Sequence, residues 1–421
     1  MFSDDAVLEL IARTPDSDGP SLLLWKNNVV TIASEVEYAG KRYQAPELEA
    51  VLYSALRLPS GCEEYGSTRN LISDLAELVT QYFPSPAHYA ELLARFTVST
   101  WLSDRLAVAP VLLITGVNES AAINLLHLLH CLCRHGLLLA EISSATLHKL
   151  PMQLSLTLLL SQFEMRPTLE RTIRASSYRG LHLLGSRGTV VDPFGAKAIY
   201  CRNAAALDVL TSGVIHIPLP PPYSPPLILD EERMNQISSR FQPRLLLYRM
   251  RNLSKAGNCQ ENFVDFTLAT RQLATNLAMC TPDDDQLVAQ TAELLRPQDE
   301  EVRAKRFFDL KYVLVEILWG FLHEGTKRKI AVRELTKYAN ALLHSRGELR
   351  EYTPEEVGGR LSDSGIRRHR SSAGQHVFLD HETSETIHKL APEYGVQTTP
   401  GSHPSCRECG VDHRANSSDV S

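Results

Sequence analysis

No apolar run in this sequence approaches the roughly 18 residues that a membrane-spanning helix needs, so no membrane contact is expected. Cysteine is sparse. The eight residues (62, 131, 133, 201, 259, 280, 406 and 409) have no disulfide-framework spacing in a chain of 421. The start, MFSDDAVLEL, is acidic and lacks the basic-then-apolar order of a signal peptide. A reduced, cytoplasmic protein is the expectation. Positive charge is not in excess either, since 43 Lys and Arg against 49 Asp and Glu leave a net charge of −6. That excludes a globally basic nucleic-acid coat, so any nucleic-acid contact must come from a local patch. There is no G-x-S-x-G elbow, no H-E-x-x-H and no complete dinucleotide fingerprint.

What is present suits two or three globular domains with real cores, at 43% hydrophobic and 22% charged residues. Residues 1–43 read as a strand-containing lead-in rich in strand formers. Residues 44–101 form a helical N-terminal region, with helical spacing in ELEAVLYSAL, NLISDLAELVTQYF and HYAELLARFTVSTWL. Over 102–219 the texture changes to short continuous apolar runs: APVLLITG, LLLAEI, LSLTLLLS, AKAIYCRN and GVIHIPL. Such runs suit strands buried on both faces of a parallel sheet. Between the first two, SAAINLLHLLHCLCRHG has helical spacing and ends in His-Gly as the expected C-cap. Cys131 and Cys133 on it are expected to be core thiols, and His127 and His130 part of its packing or surface. The result is a three-layer α/β domain. The Pro-rich 220–229 is expected to be a linker, 230–305 a helical region, 306–396 a compact second domain, and 397–421 a flexible tail containing Cys and His.

The stretch LLITGVNESAAINLL, residues 112–126, has the outline of a phosphate-binding strand–loop–helix. In a Walker A loop, G-x-x-x-x-G-K-[ST], backbone amides and the lysine hold phosphates while the hydroxyl holds Mg²⁺. Aligned on Gly116, the second glycine falls on Ala121, the lysine on Ala122 and the hydroxyl on Ile123. Only the first glycine remains.

With its flanks, TVSTWLSDRLAVAPVLLITG before and LLHLLHCLCRHGLLLAEIS after, this segment resembles P-loop ATPases of the AAA+/primase–helicase-like kind found on bacterial mobile elements. The resemblance extends at falling specificity over roughly residues 40–395. It implies a third core strand ending in Asp-Glu, where Asp holds the metal and Glu activates water. The matching LTLLL is followed by Ser161 and Gln162, with Glu164 two residues on. It also implies a polar sensor after the fourth strand, matched by Asn203. The arginine expected before the last strand is replaced around Ser212-Gly213. Lysine, hydroxyl, metal carboxylate, base and arginine are missing together. Phosphoryl transfer rests on positioning and charge, so their joint loss implies a catalytically silent domain, a vestigial nucleotide site. An α/β domain never related to ATPases stays open as the alternative. No cofactor is expected, and ATP with Mg²⁺ least of all.

In the second domain, KYVLVEILWGFLHEG and KRKIAVRELTKYANALLHSRGE read as amphipathic helices. YTPEEVGGRLSDSGI carries Thr353 as N-cap, Pro354 at the first helical position and Glu356 three residues after the cap. IRRHRSSAGQHVFLD then reads as a basic strand, a turn and an apolar strand. This order matches a winged helix and resembles the C-termini of the same ATPase family. Arg360 would lie on the groove-entering helix, and Arg367, Arg368, His369 and Arg370 on the wing, where guanidinium groups meet phosphates. The acidic start of the helix keeps a protein-docking role open. Arg174, Arg179 and Arg187, in the loop RASSYRGLHLLGSRGT, could touch nucleic acid but more commonly such residues are solvated.

The tail places His403, Cys406, Cys409 and His413 within eleven residues, a set able to take zinc, although a single knuckle more commonly is an incidental pair. The sequence therefore points to an inactive P-loop ATPase-like scaffold acting by binding DNA, an active ATPase partner, or both, in mobile-element DNA replication or maintenance. Two alternatives are a residual ATP-dependent remodelling enzyme, with Arg240, Arg244, Arg249 or Arg251 replacing the lost lysine, and a winged-helix transcription regulator.

Overall fold

Strand formers and two left-handed turns shape the N-terminal part. β1 (Val7–Ile11), β2 (Ser21–Lys26) and β3 (Val29–Ala33) form an antiparallel sheet in that order. Asn27 and Asn28 join β2 to β3 with φ of 49° and 62°, the conformation a two-residue hairpin needs and asparagine tolerates. β4 (Glu35–Tyr38) and β5 (Lys41–Gln44) make a second hairpin. The computed structural model describes residues 2–15, 19–47, 49–147, 149–162, 167–184, 188, 190–202, 213–219, 228–257, 261, 263–324, 327–372 and 374–396.

The helical region follows as α1 (Ala50–Ala55), α2 (Thr68–Tyr82) and α3 (Ala87–Trp101). The Ser67 hydroxyl caps α2 by accepting from the Asn70 amide. The core strands are β6 (Val111–Thr115), β7 (Gly136–Leu139), β8 (Thr157–Ser161), β11 (Lys197–Cys201) and β12 (Ile215–Pro218). Between them lie α4 (Glu119–Leu132), α5 (Ser144–Leu147), α6 (Pro167–Ala175) and the short hairpin of β9 (Leu183–Leu184) and β10 (Val190–Val191). All four core pairings are parallel, in the order β12-β6-β11-β8-β7. Each of the five apolar runs thus supplies one strand, and β6 and β11 are buried throughout. This is an α/β fold with a five-stranded parallel sheet, an arrangement consistent with a P-loop-type domain.

The expected C-cap of α4 is corrected. The helix stops at Cys133, and His135 takes a left-handed φ of 45° before Gly136 opens β7. The tertiary reason is that the His135 Nδ1 donates to the Leu154 carbonyl at 2.6 Å, tying the chain across to the segment before β8. Cys131 and Cys133 are fully buried, and burial pushes their thiols up to about 11 and about 12. His130 is buried, its Nε2 donating to the Ala55 carbonyl at 3.0 Å, and burial lowers it to about 4.

α7 (Glu231–Asn252), α8 (Leu268–Ala278) and α9 (Asp285–Arg306) complete the helical part of the middle. Of the proline-rich 220–229, only 228 and 229 are among the described residues. The chain divides into two units, Met1–Val264 with Ala269–Leu295, and Asp265–Leu268 with Arg296–Ser421. Most of the helical 230–305 falls within the first unit, with the α/β core. One reason is a buried ion cluster. Glu9 on β1 accepts from Arg134 at 2.7 Å and from Arg249 of α7 at 2.6 Å, and Arg249 also reaches Asp104 at 2.6 Å.

The second unit contains α10 (Leu310–Glu324), β13 (Lys329–Ala331), α11 (Val332–Ser345), α12 (Pro354–Asp363), β14 (His369–Ser371), β15 (Gly374–Phe378) and α13 (His381–Tyr394). Its core gathers Val313, Leu318, Leu335, Leu343, Leu361 and Val377. The expected two-stranded hairpin is joined by a third strand, giving the antiparallel order β13-β15-β14. KIA is too short and basic to announce itself, yet Ile330 is buried opposite Val377.

Candidate functional site

Two places carry the sequence-derived site residues. The first is the turn after β6, which lies where the strand order reverses, the crevice in which open α/β sheets receive ligands. Gly116 has a φ of +138°, and a Cβ there would stand 2.9 Å from the Leu219 Cβ. Leu219 is held in place because its amide donates to the Thr115 carbonyl at 2.7 Å, continuing the β12 pairing. The Tyr200 hydroxyl donates to the Gly116 carbonyl at 3.0 Å. The glycine thus answers to a close backbone approach, which explains its presence without a phosphate.

The turn is also short. Only Gly116, Val117 and Asn118 separate β6 from α4. Asn118 caps the helix: its side chain accepts from the Ala121 amide at 3.2 Å, and its carbonyl from the Ala122 amide at 3.1 Å. A phosphate cradle needs such amides to be available. Ala121 and Ala122 are buried, at 7% and 0% exposure, and only Ile123 reaches the surface. At the end of β8, Ser161 is partly covered and Gln162 is buried, its Oε1 accepting from the Ile142 amide at 3.2 Å. Asn203, Glu164 and Ser212 lie outside the described residues.

Three of the four arginines offered as substitutes for the lysine are paired elsewhere. Arg244 pairs with Asp74 at 2.6 Å, Arg251 with Glu64 at 2.5 Å, and Arg249 lies in the Glu9 cluster. Arg240 lies 5.0 Å over the Phe241 ring. Arg179 is structural too. It donates to the Ser103 and Leu106 carbonyls at 3.1 and 2.9 Å and stacks 4.2 Å over Phe194. Arg187 lies outside the described residues.

The second place is formed by α12, β14 and β15. The capping box is present: Thr353 Oγ1 accepts from the Glu356 amide at 3.3 Å, and Glu356 accepts from the Thr353 amide at 2.8 Å. Arg360 is exposed on the helix, 3.7 Å from Asp363. Arg368 lies across α12. Its Nε donates to Ser362 Oγ at 3.1 Å and its Nη1 to Gln375 Oε1 at 2.9 Å. Gly358 makes room for it, since a Cβ there would stand 2.3 Å from that Nη1. Arg367 pairs with Glu382 of α13 at 3.0 Å, and Arg370 is exposed on β14 opposite Gln375. Arg367, Arg368, His369 and Arg370 share one shallow cavity with Ser362 and Gln375. Gly358, Ser362, Gln375 and Glu382 were not singled out from sequence; the adjacent glycines within a helical segment were the one available signal.

His403, Cys406, Cys409 and His413 lie outside the described residues. Among the described residues no group of three or more His, Cys, Asp or Glu is arranged to hold a metal ion, and no helix is long and apolar enough to cross a membrane.

No family model matches the chain, and no curated protein does. Among solved structures, the chain is similar to the A-form apo structure of the NrS-1 C-terminal region, at 9% identity and a TM-score of 0.38, over 86% of this chain and 94% of that one. Cdc6p from Pyrobaculum aerophilum gives 13% and 0.20 over 75% and 98%. Drosophila ORC bound to DNA gives 10% and 0.19 over 84% and 96%. Scores this low leave the description of the fold to the chain's own sheet order and packing.

Proposed function

We propose that the protein is a catalytically silent P-loop-type scaffold that binds DNA through a C-terminal winged helix, in the replication or maintenance of a mobile element. The filled turn after β6 carries the reading. To enter, a nucleotide would have to displace Leu219 from Gly116 and Asn118 from the Ala121 amide, and it would then meet Ala122 and Gln162 where charge is required. The mobile-element setting comes from the sequence resemblance alone.

The binding half rests on α12 and β14. Arg368 is held in place by Ser362 and Gln375 with Arg370 beside it, so guanidinium donors are positioned before any phosphate arrives. If Arg367, Arg368 and Arg370 each meet one phosphate, log affinity should fall against log salt with a slope near −0.9 × 3, about −2.7. The net charge of −6 opposes binding, so affinity is expected on the order of micromolar at physiological salt. Fluorescence anisotropy with duplex DNA over a salt series tests this. The triple alanine variant should flatten the slope and weaken all sequences alike. Arg360→Ala should reduce discrimination between sequences more than general affinity.

Gly358→Ala separates binding from folding. A Cβ drives the Arg368 guanidinium from its place, while alanine favours the helix by roughly 0.5–1 kcal/mol. Thermal stability should hold or rise while DNA affinity drops; unchanged affinity would remove Arg368 from the interface. The acidic first turn of α12, Glu355 and Glu356, favours a second reading, in which this face docks a protein such as an active ATPase. Absence of DNA binding at low salt would select it.

A further inference from the structure

Among the described residues, one edge of the N-terminal sheet, that of strand β3, is unpaired. β3 pairs with β2 on one side, and among the described residues no other strand pairs with it. Its sequence, VVTIA, has no charge and no proline, two of the devices that keep an edge from pairing. Val29, Val30 and Ile32 are 63%, 39% and 41% exposed.

The hairpin geometry says which backbone groups face outward. In a two-residue hairpin the closing pair, here Lys26 and Val29, is hydrogen-bonded, and bonded pairs alternate along the ladder. Val29, Thr31 and Ala33 therefore bond to β2, and Val30 and Ile32 present their N–H and C=O groups to the open side. A second copy of β3 running antiparallel about a two-fold axis at Thr31 sets Val30 opposite Ile32 of that copy. This register satisfies all four outward groups on each copy without leaving the strand. It also places two Val–Ile pairs on the face shared with Leu23 and Trp25, and no like charges meet.

We propose that β3 is a self-association edge, its occupant the same strand of a second copy. The interface is small, so the dimer is weak and concentration-dependent. Sedimentation velocity on the full chain should show the mean mass rising from monomer toward dimer with concentration. Ile32→Lys, at an exposed side chain, should weaken association about tenfold or more. The two-fold gives a register-specific test. Thr31→Cys places two thiols in a non-bonded pair at roughly 4.5 Å between Cα atoms, within disulfide reach. Mild oxidation should give a covalent dimer that the unsubstituted protein, treated in parallel, does not form. Val29→Cys should not cross-link, since its thiols would stand roughly 13 Å apart along the strands. A monomer at every concentration with no Thr31→Cys dimer, or a dimer indifferent to Ile32→Lys, overturns the proposal.

Discussion

Glu9→Gln should destabilise the first unit by about 3–5 kcal/mol, the cost of removing one partner from a buried ion pair. Glu9 is 2% exposed. It faces Arg134 and Arg249, with His135 Nε2 3.0 Å from the same carboxylate. Burial alone would raise its carboxyl, but the two guanidinium charges outweigh that and hold it well below its ordinary 4.5. Among the described residues, the neutral amide leaves Arg134 with no carboxylate within 4 Å and Arg249 with Asp104 alone. The sign with pH follows from linkage. A depressed carboxyl stabilises fully above its unfolded value, near 4.5, and loses that contribution as pH falls below it. Thermal melts should therefore separate the two proteins most above about pH 5 and bring them together toward acid. A cost under about 1 kcal/mol at neutral pH would mean that the cluster does not hold β1 and α7 to the core. Replacing Glu9 and Arg134 together by methionine should recover part of the loss, because no orphaned charge then faces the site from that side.

Ala122→Lys should not build a nucleotide site; it should weaken the fold. The side chain at 122 is 0% exposed on α4. A lysine there has a buried ammonium whose pKa falls by about 3–5 units. Because the neutral amine is reached once that pKa drops below 7, the cost at neutral pH is capped by the gap between about 10.4 and 7, roughly 4–5 kcal/mol at 1.36 kcal/mol per unit. Overpacking adds to it. Denaturant unfolding should show this loss, and calorimetry should detect no saturable binding of magnesium ATP below millimolar concentration in either protein. A folded variant with micromolar nucleotide affinity would show that the turn after β6 can open into a cradle, and the scaffold reading would fail. Ser161 and Gln162 would still supply neither the metal-holding carboxylate nor a carboxylate base.

The two variants differ in how much of their outcome the sequence discloses. Missing charge at 122, 161 and 162 is a property of residue types, and it is visible once the strand–loop–helix outline is aligned. The five core strands were legible because strands buried on both faces read as continuous apolar runs. The α12 N-terminus was legible because a capping box is local, Thr353 and Glu356 being three residues apart. Glu9 was not legible. Its partners lie 125 and 240 residues away, and nothing in a single acidic residue within a strand indicates them.

Local periodicity and spacing, then, decided element type, the polar faces and which residue types stand at the turn and at the end of β8, because those depend on neighbours within a turn or two of chain. Long-range pairing decided the rest. It inserted β6 between β11 and β12, laid Leu219 over Gly116, and committed Arg179, Arg244, Arg249 and Arg251 to structural partners. It also set Arg368 against Gly358. An arginine looks equally free in a sequence whether it meets a buried carboxylate or solvent. Only folding, which removes water from one and leaves it around the other, tells them apart.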